Sequence, residues 1–302
     1  MKIIVTGSLG NISKPLTETL VQKGHSVTVI SSRADKQEEI TALGASAATG
    51  SVEDADFLTT TFKDADAVYC MIPPANYFDQ KLDLPGYTRK VANNYAQAIQ
   101  TSGVKRVVFL SSIGAHLAAG NGIIQVYHEV EDIIGKSTNA AITFMRPTSF
   151  YYNLLGYVQS IKYKDVIAVN YGEDKIIWVA PKDIAAAIAE ELETTPAETN
   201  IRYVASDERT GPETAAVLGA AIGKPDLQWQ VVSDEQAQTD LQAIGMQPSI
   251  AAGLVQMYAS ARSGKFWEDY EKNKPVAMGT VSLEDFAKDF AAAYHQAEAG
   301  SH

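Results

Sequence analysis

Lys2-Ile3-Ile4-Val5-Thr6-Gly7-Ser8-Leu9-Gly10-Asn11-Ile12-Ser13 opens the chain, and its reading decides the fold. A short apolar run breaks into a glycine-containing loop, after which Ile12, Leu16 and Leu20 recur every fourth residue up to Gly24. This pattern predicts a buried strand, a tight loop and an amphipathic helix. A second apolar run at 27–30 completes a strand-helix-strand unit of the length that a dinucleotide-binding fold requires. In that reading Gly7 permits the turn and Gly10 lets the backbone approach a pyrophosphate. The amides opening the helix meet its charge, with Thr6, Leu9, Asn11 and Ile12 completing the cradle. Ser13 stands where the fingerprint places its third glycine.

Cofactor choice is read from the end of the second strand. An acidic residue there would hold a ribose 2'-hydroxyl, but this chain has Ser31, Ser32 and Arg33. Two hydroxyl donors and a fixed cation suit a 2'-phosphate, so the expected cofactor is NADP.

Composition narrows the alternatives. With 302 residues, 46% of them apolar, the chain can bury a sizeable core as one large domain or two unequal ones. The net charge is -11 and the 25 basic residues are scattered, which argues against nucleic acid as a partner. No stretch has the length of a membrane span, and the first strand begins at once, so a cytoplasmic location is expected. The single cysteine, Cys70, lies in an apolar run and reads as a small buried hydrophobe. The five histidines show no ligand spacing, and no metal site is expected.

Further along, helices are expected at 34–43, 54–62 and 86–102, and strands at 47–49, 67–72 and 107–110. Pro73-Pro74 ends the fourth strand sharply. The carboxyl ends of such strands line the ligand crevice of a doubly wound sheet. Met71, Ile72 and Pro73 are therefore placed beside the cofactor, as are Ser111 and Ser112 at the end of the fifth strand. Residues 75–85 have no clean period and are either a loop over the site or plain surface. A helix after Asn121-Gly122 carries Tyr127 and Glu131 and is closed by Gly135. A sixth strand at 141–145 runs into Arg146-Pro147-Thr148-Ser149-Phe150. Beyond Phe150 the alternation becomes irregular, with strands at 166–169, 176–179 and 201–205 and helices at 182–193, 212–222, 234–244, 250–261 and 283–295. The fold class expected is α/β, a doubly wound parallel Rossmann sheet with a smaller, mainly helical C-terminal lobe. The division is a nucleotide-binding domain at 1–150, with later strands from about 165–205 interleaved, and a substrate-side lobe at 151–302.

Taken together, these motifs resemble the NmrA-like branch of the atypical short-chain dehydrogenase/reductases. The resemblance spans nearly the whole chain: Val5-Thr6-Gly7-Ser8-Leu9-Gly10, then Gly103-Val104-Lys105-Arg106-Val107-Val108 leading to Ser111-Ser112, then Arg146 to Phe150 with Asn153, and Ser282-Leu283-Glu284-Asp285-Phe286. It implies a Rossmann sheet binding NADP, with the C-terminal lobe closing a cleft over the nicotinamide, where Tyr127, Pro147, Thr148, Ser149 and Phe150 would lie. Relatives of this kind include quinone and azo-dye reductases and regulators that bind the cofactor without turning it over.

The wider superfamily uses a Tyr-x-x-x-Lys pair in which the lysine lowers the tyrosine pKa. Here Tyr127 is followed four residues later by Glu131, so the pair is incomplete. A quinone can accept a hydride without a positioned acid, which favours a quinone or similar small electrophile as substrate. Ser111, Ser112 and Tyr127 are the candidate donors to the developing oxyanion. The alternative is a non-catalytic redox sensor, which would need a protein partner.

Overall fold

The computed structural model describes residues 1–136, 140–194 and 198–299. Six strands follow one another in the first half: β1 (Lys2–Val5), β2 (Ser26–Ser31), β3 (Ser46–Thr49), β4 (Ala67–Met71), β5 (Arg106–Leu110) and β6 (Ala141–Pro147). Later come β7 (Ser149–Phe150), β8 (Val166–Val169), β9 (Ile176–Val179), β10 (Asn200–Val204), β11 (Asp207–Arg209) and β12 (Gln228–Val231). A seven-stranded sheet runs in the order β10-β6-β5-β4-β1-β2-β3, and every pair in it is parallel. The α/β doubly wound class read from the sequence is the fold observed. β5 is buried at every position, and after Arg106 it reads as an unbroken apolar run because helices cover both faces.

Strand order reverses between β1 and β4, which opens the ligand crevice at their carboxyl ends. Met71 pairs in register with Leu110, and Leu110 with Met145, so the loops after β4, β5 and β6 leave the sheet at one level.

On one face lie α1 (Ser13–Gln22), α2 (Gln37–Ala42) after a short 3-10 turn (Ala34–Lys36), and α7 (Pro181–Leu192); Leu16, Leu20, Ile184 and Ile188 are fully buried against the sheet. The other face carries α3 (Ala55–Phe62), α4 (Leu84–Ser102) and α5 (Val126–Lys136). The starts and stops have local causes. Asp54 accepts from the amides of Asp56 and Phe57, both at 3.0 Å, and Asp83 accepts from that of Gly86. Gly103, at φ +75°, ends α4 in the left-handed conformation that favours glycine. Gly135 does not close α5 but lies inside it.

The second lobe is built from α6 (Val158–Lys164), α8 (Gly211–Ala221), α9 (Asp234–Ala243), α10 (Pro248–Arg262), α11 (Glu268–Lys272) and α12 (Leu283–Ala299). Of the strands expected to interleave with the large sheet, only β10 does so. β9 pairs instead with β7 and β11, and β8 with β12, so that Trp178 and Trp229 fill a separate core with Tyr151 and Phe286. The 3-10 stretch Tyr151–Tyr157 and α6 were not anticipated, because the aromatic-rich run after Phe150 has no helical period.

Tyr95 of α4 is fully buried and donates to the Met71 carbonyl at 2.9 Å, at the rim of the crevice. Burial raises its phenol well above the ordinary value. An unfolded Tyr95 ionises near pH ~10, whereas the folded one keeps its proton, so its stabilising effect is complete below that pH and is lost as pH rises further. Urea midpoints should therefore fall more steeply between about pH 9 and 11 for the wild type than for Tyr95→Phe; identical slopes would remove this assignment.

Candidate functional site

The loop after β1 is shaped by contacts that leave no room for side chains. Gly7 has φ +87°, and a Cβ there would lie 2.6 Å from Ser13 Oγ. Ser13 is buried and donates to the Thr6 carbonyl at 2.8 Å. The position that normally takes a third glycine is thus filled by a hydroxyl that bonds the loop it packs against. A Cβ at Gly10 would stand 3.1 Å from the Gly7 carbonyl, whose oxygen already accepts from the Gly10 amide. The Lys14 amide turns back to Gly10, whereas no hydrogen bond among the described residues uses the amides of Asn11 or Ile12. Ile12 precedes the first turn of α1, which has no side-chain cap and no acidic residue. These free amides and the positive helix end fit a diphosphate.

The loop is tied to its neighbours. Thr6 Oγ1 accepts from the Met71 amide at 3.0 Å, and the Ser8 hydroxyl donates to Ser31 Oγ at 2.9 Å. Ser31 is buried, and its Oγ accepts from the Arg33 amide at 3.2 Å, which leaves Ser32 and Arg33 exposed at the strand end. The Arg33 guanidinium faces Asp35. Met71 ends β4 at the reversal point, against Gly7, and Ile72 and Pro73 follow it.

Helix α5 is set by the turn before it. Asn121, fully buried, donates to Gly114 O at 2.8 Å, and Gly122 lies so close to Gly253 of α10 that a Cβ would stand 1.8 Å from its carbonyl oxygen. Glu131 does not face open solvent. Its carboxylate accepts from Arg146 Nε at 2.9 Å, from Arg146 Nη2 at 2.6 Å and from the Ser111 hydroxyl. Arg146 in turn donates to Asp269 of α11 at 2.8 Å, and Tyr203 OH donates to the same carboxylate at 2.6 Å. The position that carries lysine in a Tyr-x-x-x-Lys pair therefore anchors β5, β6 and α11. In this arrangement the Ser111 proton is directed to Glu131, away from any oxyanion. Ser112 is half-buried at the same strand end.

Tyr127 is half-buried on the same helix. Burial, then Tyr77, Tyr152 and Tyr87, push its phenol up, and the Tyr152 phenol is pushed up to about 12 by burial and by Tyr77. Both stay protonated donors at neutral pH. Phe150 stacks on Tyr152 with ring centroids 4.9 Å apart, which adds an aromatic wall to Pro147, Thr148 and Ser149. Two hydroxyls near these strand ends, Tyr69 Oη and Thr148 Oγ1, are buried without a hydrogen-bond partner.

The segment with no clean period spans the two layers. Tyr77 O accepts from the Gln247 amide at 2.9 Å, Gln80 donates to Gly245 O and Gln247 donates to Leu82 O. Tyr77, Tyr87 and Tyr152 were not singled out from the sequence; the available signal was an excess of tyrosine, 14 against 9 phenylalanines. A cleft of about 690 Å³ between the start of α4, the turn before α5 and α10 is lined by none of the sequence-predicted site residues.

A family model described as NAD(P)H-binding matches residues 7–195. The chain is 29% identical over 261 residues to an NAD(P)H azoreductase of Xenophilus azovorans, covering 86% of this chain and 87% of that protein. Among solved structures, an NADPH-dependent quinone oxidoreductase of Escherichia coli complexed with NADPH superposes with a TM-score of 0.79 at 20% identity, over 95% of this chain and 99% of that one. The triphenylmethane reductase of Citrobacter sp. superposes with a TM-score of 0.78 at 19% identity, over 97% of this chain and 100% of that one. At those identities the two structures speak to the fold.

Removing Arg146 deprives two carboxylates of their shared guanidinium in a largely buried space, since the Glu131 side chain is 12% exposed and that of Asp269 26%. Arg146→Met should cost about 3 to 5 kcal/mol of unfolding free energy. Urea denaturation checks it, and a loss below ~1 kcal/mol would show that the network is not needed to hold α5.

Proposed function

The chain belongs to the NAD(P)H-binding family, and we propose that it is an NADPH-dependent oxidoreductase acting on a quinone or another planar aromatic electrophile. The observation that carries this reading is the cluster of protonated phenols, Tyr77, Tyr87, Tyr127 and Tyr152, with no lysine among the described residues acting to lower any of them. The azoreductase, quinone oxidoreductase and triphenylmethane reductase among the similar proteins support it, because azo dyes, quinones and triphenylmethane dyes are all conjugated electrophiles.

The amides of Asn11 and Ile12 would hold the diphosphate within the loop formed by Thr6, Gly7, Leu9 and Gly10. Ser31, Ser32 and Arg33 would hold the 2'-phosphate. Met71, Ile72 and Pro73 on one side, and Pro147, Thr148, Ser149 and Phe150 on the other, would flank the nicotinamide. When bound, the cofactor supplies the hydride. Tyr127 donates a hydrogen bond to the acceptor oxygen and keeps its proton, so that negative charge on the product is stabilised without full proton transfer. Phe150 and Tyr152 offer faces on which a flat acceptor can stack.

A second reading, a cofactor-sensing regulator, draws on the ion-pair chain from Glu131 through Arg146 to Asp269, which leads from the crevice into the second lobe. It requires different affinities for the oxidised and reduced cofactor and a partner whose binding follows that state.

Purified protein should oxidise NADPH when a quinone or azo dye is added, followed by absorbance decay. Cofactor binding without turnover across such a panel would overturn the enzyme reading. Tyr127→Phe should lower kcat by roughly tenfold or less, because only a hydrogen bond is lost. The kcat profile should be flat from about pH 6 to 9, since the phenol titrates above that range; a limb near neutral pH that disappears in Tyr127→Phe would assign Tyr127 a proton-transfer role instead.

A further inference from the structure

The end of β2 holds cations that are already matched. Arg33 Nε donates to Asp35 Oδ1 at 3.1 Å and Nη2 donates to Oδ2, a fork-to-carboxylate grip between residues two apart. Arg33 stands immediately before the 3-10 turn Ala34–Lys36, and Asp35 lies within it. Lys36 Nζ donates to Glu39 at 2.6 Å, and Lys14 Nζ lies 3.7 Å from the same carboxylate. Thus Lys14, Arg33 and Lys36 each have a carboxylate within ion-pair distance. The Arg33 and Asp35 side chains are 66% and 60% exposed, so the pair is open to exchange with a ligand. Each partner holds the other in its charged form, Arg33 raised by Asp35 and Asp35 lowered by Arg33.

Two consequences follow for a dinucleotide whose adenosine ribose reaches this strand end. A 2'-phosphate must either displace Asp35 or take the Nη1 edge of the guanidinium that Asp35 does not use, and in both cases it sits near that carboxylate, which repels it. A ribose carrying a free 2'-hydroxyl meets a pair with no net charge, and Asp35 can accept its hydrogen bond as an acidic residue does in NAD-binding folds. We propose that Asp35 is a cofactor-specificity residue, whose bidentate hold on Arg33 lowers the preference for NADPH over NADH and leaves the chain able to bind both. The proposal rests on the nucleotide-binding reading above. It assigns to Asp35 a role opposed to that of Arg33 at one site.

The test is fluorescence titration of the full chain with NADPH and with NADH, at low and at high salt, for the wild type, Asp35→Asn and Arg33→Ala. Asp35→Asn keeps the shape and removes the charge, and both positions are exposed, so folding is not at stake. The NADPH Kd of Asp35→Asn should fall by about fivefold at low salt, with the gain shrinking at high salt, while the NADH Kd stays equal or rises. Arg33→Ala should weaken NADPH and leave NADH nearly unchanged. An unchanged ratio of the two Kd values in Asp35→Asn overturns the proposal but leaves the nucleotide-binding reading standing. Weaker NADPH binding by Asp35→Asn also overturns it, because Asp35 would then be orienting the fork for phosphate. Binding of neither nucleotide by the wild type overturns both.

Discussion

The seating of α1 on β1 through one hydroxyl is the constraint from which the rest of the crevice follows. Ser13 reaches the Thr6 carbonyl only because Gly7 has no Cβ, and past the resulting turn no hydrogen bond among the described residues uses the amides of Asn11 and Ile12. Thr6 passes the constraint on. Its hydroxyl accepts from the Met71 amide, and Tyr95 binds the Met71 carbonyl, so the glycine loop, the end of β4 and α4 are linked by hydrogen bonds. Such a rim is preorganised, and a ligand entering it meets amides that need no further ordering.

The opposite wall of the crevice is organised by charge. Glu131, Arg146 and Asp269 form a largely buried chain in which each carboxylate finds guanidinium donors, and the Ser111 hydroxyl closes one end. Low dielectric makes such a chain stable only when complete. In the proposed reaction Glu131, held by Arg146 and Ser111, is given no part in proton transfer, which favours acceptors that tolerate a hydrogen bond in place of an acid. The tyrosines on that side, held protonated by burial, are consistent donors for such an acceptor.

Charge is handled differently at the outer end of β2. Pairs there are exposed and exchangeable, and Asp35 answers Arg33 as Glu39 answers Lys36. One protein thus uses buried ion pairs to hold a lobe in place and exposed ones where a charged ligand could displace them.

The opening thirty residues determined by themselves the strand, the glycine turn and the helix, and with them the place proposed for the nucleotide, because each depends on local backbone geometry and period. The doubly wound parallel class followed from the alternation of strands with helices, and the incomplete Tyr-x-x-x-Lys pair was visible as the letters Tyr127 and Glu131, whereas the strand order came from the tertiary structure. Only the tertiary structure decided that Glu131 pairs with Arg146 and Asp269, that Tyr77 and Tyr152 join Tyr127, and that β8 and β9 leave the large sheet to build a second core. The physical reason is distance along the chain. A period of two or of about four residues reports what a segment does to its neighbours in sequence, while a contact between separate elements, 15 positions apart for Glu131 and Arg146 and 123 for Arg146 and Asp269, depends on how whole layers dock, which no local pattern encodes.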